Sequence, residues 1–327
     1  MTEKPVLKTH NLSIGYPKHT VTTGINENLF AGELVCLIGP NGAGKTTLMR
    51  TIAAMLSPIE GHVTLIGDDV RSLESRILAQ RLSVVLTDRI NVGLLSGYEL
   101  VALGRHPYTD WTGNLTKNDE NIIRWAVNAV GADELAPRHI HELSDGERQK
   151  LMIARALAQD PAVMILDEPT AFLDLPRRVE IMQLLRNLAR ETNRAILLST
   201  HDLDLALRNA DRIWLMPKND AIQVGAPEDL VLTGAFEKAF ASEGVQFDKR
   251  TGSFRPMVGA QHEVALIGEG INRIWTERAL ERAGFTVVES ASTAITIGES
   301  DWTLKKGEAV TPEKVYSLYD LVTALQS

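Results

Sequence analysis

The chain has 327 residues, 44% of them hydrophobic, with 34 Lys+Arg set against 42 Asp+Glu for a net charge of −8. That length holds one large domain and a small second one, and that composition excludes a disordered chain. The acidic balance, with no lysine or arginine tract, argues against nucleic acid as the main partner. The single cysteine, Cys36, excludes an internal disulfide and fits a reducing compartment.

In chain order, residues 1 to about 35 read as short strands with turns, including Val6 to His10 and Asn28 to Phe30. Val35 to Ile38 reads as a buried strand running into the glycine loop Gly39-Pro40-Asn41-Gly42-Ala43-Gly44-Lys45-Thr46, and Lys45 to Ala54 as the helix after it. Val63 to Ile66 and Leu82 to Leu86 are further strand candidates. Residues from about 91 to 160 are mostly helical: Ile122, Ile123, Ala126, Val127 and Val130 recur at helical spacing, as do Met152, Ile153, Ala156 and Leu157. A helix is expected from Glu147 to Gln159. Val163 to Leu166 and Ala195 to Ser199 are continuous apolar runs, as for parallel strands covered on both faces, and a helix from about Pro176 to Thr192 lies between them. This order predicts an α/β sheet with a helical insertion. From about 262 a separate small α/β unit is expected: strands Val264 to Ile267, Phe285 to Val288 and Ala294 to Ile297, and helices Ile274 to Ala283 and Pro312 to Leu325. No apolar stretch approaches the length of a membrane span, and Met1-Thr2-Glu3-Lys4-Pro5 does not start a signal peptide, so a soluble, cytoplasmic chain is expected.

The glycine loop carries the chemistry. Glycines at this spacing let the backbone curl round an anion at a helix N-terminus, where amide groups and the helix dipole favour negative charge. Lys45 would reach the β and γ phosphates, and Thr46 would set its hydroxyl on Mg²⁺. Asp167 ends the strand Val163 to Leu166 and is the expected Mg²⁺ holder. Glu168 follows at once and points elsewhere, toward the γ phosphate.

The run Leu143-Ser144-Asp145-Gly146-Glu147, shortly before Leu166-Asp167-Glu168-Pro169-Thr170, identifies the chain as resembling the ATP-binding cassette (ABC) ATPases over roughly residues 5 to 256. The resemblance implies a P-loop NTPase fold with a RecA-like core, an antiparallel β subdomain and a helical subdomain, here followed by the small α/β appendage at 262–327. It implies that Asn41, Gly42, Ala43, Gly44, Lys45, Thr46 and Thr47 hold ATP, and that Glu168 polarises the attacking water. His201 matches the switch histidine that contacts the γ phosphate. Tyr16 stands where these proteins stack a ring on adenine, or is a turn residue. Ser144 and Gly146 would close over ATP held by a second copy, and Phe172-Leu173-Asp174 matches the loop between subunits. A functional pair then needs two chains, since there is one phosphate loop.

Two positions depart from the family pattern. Asp145 replaces a glycine and is expected to face outward, because a carboxylate near polyphosphate is unfavourable unless it points to solvent or pairs with a cation. Asp88, after Val84-Val85-Leu86-Thr87, aligns with a glutamine that touches Mg²⁺ and the water; it takes that role or is only a loop charge. The segment Leu94 to Tyr108 resembles that of importers of iron–siderophore complexes, haem and cobalamin. That implies polytopic permease subunits docking near residues 89–110, an external substrate-binding protein, and a peripheral place on the cytoplasmic face of the membrane. A soluble ABC ATPase without a permease, or an exporter ATPase, is the alternative. For the appendage, dimer bracing or packing is the leading reading; Gly268-Glu269-Gly270 at a helix start could instead bind an anion, and a regulatory role sensing substrate or nucleotide is a further reading.

Overall fold

The computed structural model describes residues 4–86, 94–218, 220–240, 245–256, 262–307 and 312–326. Residue contacts divide it into two compact units, residues 1–241 with 247–253, and residues 242–246 with 254–327.

In the first unit a six-stranded sheet runs Gln223–Gly225, Arg212–Leu215, Leu34–Ile38, Ala195–Ser199, Val163–Leu166, Leu82–Val85, parallel throughout except for the antiparallel edge strand Gln223–Gly225. Every residue of the three strands Leu34–Ile38, Val163–Leu166 and Ala195–Ser199 is buried. That is why these strands read as unbroken apolar runs: helices or strands cover both faces. The loops that carry the glycine motif, Asp167–Glu168 and His201 therefore leave the carboxyl ends of three adjacent strands, where parallel α/β sheets place ligands.

A second, antiparallel sheet runs His19–Ile25, Leu7–Tyr16, Glu60–Leu65, Asp68–Asp69, with Asn28–Leu29 also on Leu7–Tyr16. Its first long strand continues well beyond His10. Asn11 takes a left-handed φ of 44° at a register shift, so the alternation breaks while the strand goes on. Helices Gly97–Ala102, Lys117–Ala129 and Asp145–Ala158 form the helical part, each starting on a capping box, Ser96 with Glu99, Thr116 with Asp119 and Ser144 with Glu147.

The second unit is a five-stranded sheet in the order Phe285–Val288, His262–Ile267, Thr293–Ile297, Trp302–Lys306, Glu313–Val315, the first three parallel and the last two antiparallel. Helices Ile271–Arg282 and Leu318–Gln326 accompany it, and Val264, Leu266, Leu280, Ile295, Leu304 and Leu321 form its core. The expected helix from Pro312 is corrected here. Glu313–Val315 is an edge strand with Val315 buried, and the helix begins only after Ser317, whose hydroxyl accepts from the Asp320 N–H at 3.0 Å. Trp302–Lys306 is a further strand, beyond the three expected from the sequence pattern.

Candidate nucleotide site

The loop after Leu34–Ile38 can turn tightly because Gly42 and Gly44 sit at φ values of 78° and 102°. A Cβ on Gly39 would lie 2.1 Å from the Met216 carbonyl oxygen, so the loop backbone lies directly against the next strand's end. Asn41 and Gly42 are exposed; Ala43 and Thr47 are buried beneath them. Lys45 opens the helix Lys45–Ile52 and folds back over the loop, where its Nζ donates to the Gly39 carbonyl at 2.8 Å and to that of Pro40 at 3.4 Å. Burial lowers the pKa of this ammonium, and Glu168 and Asp167 draw it partly back up. A buried cation held mainly by carbonyls is poised to accept an anionic ligand.

Beside it, the Asp167 Oδ1 accepts from the Ser199 hydroxyl at 2.6 Å and from the Thr46 hydroxyl at 3.4 Å. The Glu168 N–H donates to the same Ser199 oxygen at 2.9 Å. One fully buried hydroxyl thus pins both carboxylate residues. Glu168 adopts a left-handed φ of 49°, which turns its side chain away from Asp167 and brings its Oε1 to 2.7 Å from the His201 Nε2. Lys45, Thr46, Asp167, Glu168 and His201 are therefore one cluster. Asp167 is buried, while Glu168 and His201 keep 30% and 47% of their side chains open to solvent. Ser199 was not singled out in the sequence; a hydroxyl closing an otherwise apolar run was the available signal.

The other expected residues lie around this cluster. Tyr16 ends its strand, exposed, in a hairpin whose Val21 abuts Gly44. Asp88 falls in residues 87–93, outside the described residues. Ser144 is the N-cap of Asp145–Ala158, bonded to Glu147 rather than to the glycine loop of its own chain, and Gly146 is buried in the first turn against Arg177. Asp145 is exposed and lies 3.4 Å from the Arg148 guanidinium. Asp174 caps Leu175–Thr192, accepting from the Arg177 N–H at 3.1 Å.

Much of Leu94 to Tyr108 is packing. The buried Arg105 donates to Asp119 and to the Ala158 carbonyl, both at 2.8 Å, and stacks 3.7 Å from the Tyr108 ring centroid. Leu94, Leu103 and Trp111, the last 96% exposed, face outward. Among the described residues no helix is long and apolar enough to cross a membrane, and no three His, Cys, Asp or Glu side chains cluster as a metal site.

The chain is similar to known proteins in both sequence and fold. The ABC transporter family model matches residues 22–171, and the model of the iron ABC transporter C-terminal domain matches residues 261–326. An uncharacterized ABC transporter ATP-binding protein of Methanocaldococcus jannaschii is 47% identical over 249 residues, covering 76% of this chain and 86% of its own length. The ferric enterobactin transport ATP-binding protein FepC of Escherichia coli is 34% identical, covering 73% and 89%. A dimeric ATP-binding cassette solved in a post-hydrolysis state with ADP and Pi superposes with a TM-score of 0.58 at 26% identity, over 68% of this chain and 98% of that one. With the glycine loop, Asp167, Glu168 and His201 in one cluster, and relatives covered over most of their length, the chain belongs to the ABC transporter ATP-binding family.

Proposed function

We propose that this chain is the ATP-hydrolysing subunit of a membrane importer for a metal chelate, with ferric siderophore, haem and cobalamin as the substrate classes. The observation that carries the ATP-hydrolysing part of the reading is the cluster of Lys45, Thr46, Asp167, Glu168 and His201 at the ends of three adjacent parallel strands. Asn41 to Thr47 would wrap the phosphates of ATP, with Lys45 exchanging its carbonyl partners for phosphate oxygens and Tyr16 under the adenine. Thr46 and Asp167 present two hard oxygens within 3.4 Å of each other, a fit for Mg²⁺, which takes one or two protein oxygens and completes its shell with phosphate and water. Bound there, Mg²⁺ would neutralise charge building on the phosphates. Asp88 is proposed as a further oxygen near that position.

Glu168 orients a water in line with the γ phosphorus and takes its proton as the new P–O bond forms and the bond to the ADP oxygen breaks. His201 holds the Glu168 carboxylate and reaches the γ phosphate. Ser144 and Gly146 cap ATP on a second copy, with Asp174 in the loop between subunits, so two copies bury two nucleotides. ATP binding closes the pair and hydrolysis releases it. Exposed Leu94, Leu103 and Trp111 would meet the permease, which holds the chain at the cytoplasmic face, with an external binding protein supplying the substrate. Residues 1–256 are assigned to the cassette and 262–327 to an appended domain.

Co-expression with candidate permeases tests the reading. The chain should co-purify with a polytopic membrane protein and hydrolyse ATP faster when chelate-loaded binding protein is added. A fully active chain that never binds a permease would favour the soluble ATPase instead. Chelating divalent cations should stop hydrolysis.

A further inference from the structure

Arg178, outside the cluster, joins the loop that leaves Glu168 to the loop that carries His201. The Arg178 Nε donates to the carbonyl of Leu173 at 2.7 Å, and its guanidinium lies 3.8 Å from the Asp202 carboxylate. Leu173 is buried in the turn that ties back to Thr170, and Ala171 ties back to Glu168. Asp202 is the residue after His201; its other oxygen caps Leu203–Asn209 by accepting from the Leu205 N–H at 3.1 Å, and its own N–H donates to Thr200. The neighbouring Arg177 pairs with Glu180 at 2.7 Å, so the two guanidiniums of the first turn take different partners.

We infer that Arg178 is a positioning residue that sets the His201–Glu168 contact by bracing the loop Ala171–Asp174 against the cap of the switch helix. A planar guanidinium can hold a carbonyl with one edge and a carboxylate with the other; an ammonium cannot span both. The loop it braces is the one proposed to meet the second copy, so closure of the pair would reach His201 through this bridge. The inference rests on the reading of Glu168 and His201 as the hydrolytic pair.

The experiment uses the full chain and separates assembly from turnover. In Arg178→Ala, kcat should fall about tenfold while KM for ATP stays within about twofold, because only the reacting geometry is disturbed. ATP-driven pairing, followed by light scattering in a Glu168→Gln background, should persist with and without Arg178. Asp202→Asn keeps a capping oxygen but loses the charge, and should lower kcat similarly. The double variant should be no slower than the worse single, as for residues acting through one contact. Arg178→Lys should not restore the rate. Wild-type kcat in Arg178→Ala, additive loss in the double variant, or full rescue by lysine would each overturn the inference. If Glu168→Gln itself still turns over, the hydrolytic reading falls instead.

Discussion

Ser199 contributes a single hydroxyl, yet two adjacent residues, Asp167 and Glu168, are both bonded to it. Its removal in Ser199→Ala takes one hydrogen-bond partner from the Glu168 N–H and one from the Asp167 Oδ1, which keeps the longer contact to Thr46. We expect a loss of about 1–3 kcal/mol in urea unfolding and a roughly tenfold drop in steady-state ATPase. Asp145→Gly should do far less. Its carboxylate is exposed and faces Arg148, so kcat should change less than about twofold, with a cost of about 0.5 kcal/mol from the lost helix-terminal charge. The residues of the cluster were legible because motif spacing names them. The hydroxyl that links them was not, since Ser199 stands 31 residues beyond Glu168 and only strand order makes them neighbours.

Among the elements, the helix Asp145–Ala158 is tied to the rest of the helical part by a polar contact as well as by its apolar face. Arg105 reaches its C-terminal carbonyl at Ala158 while pairing with buried Asp119. Arg105→Ala strands that carboxylate and should cost about 3–5 kcal/mol by calorimetry. Burial pushes the Asp119 carboxyl up, but the Thr116 hydroxyl and N–H and the Arg105 guanidinium outweigh it, and its pKa ends below the usual carboxylate value. A depressed folded value stabilises above the unfolded pKa of about 4 and is lost as pH falls through the folded one. The deficit of Arg105→Ala should therefore shrink in acid unfolding below about pH 4. The strands Val163–Leu166 and Ala195–Ser199 were readable to the residue because full burial leaves no polar interruption. The C-terminal segment misled for the opposite reason. Three residues with only Val315 buried form too short a strand to show alternation, and the apolar positions of Leu318–Gln326 extend a helical pattern backward over it.

At the scale of the whole molecule, the core under the glycine loop and the core around Leu266 and Ile295 share no residue. Scanning calorimetry should then resolve two transitions rather than one. Mg²⁺ with ATP should raise only the transition of the cassette, by about 2.7 kcal/mol at a ligand concentration one hundred times Kd; a common shift of both would mean the units unfold together. The same folding free energy bears on Glu168. Its φ of 49° lies where an L side chain costs on the order of 1–2 kcal/mol. A library of this chain sorted for thermal tolerance alone would accumulate glycine or asparagine at 168, and its hardiest members would be inert. Screens for robust variants need turnover as a second gate, or they will select against the residue proposed to activate the water.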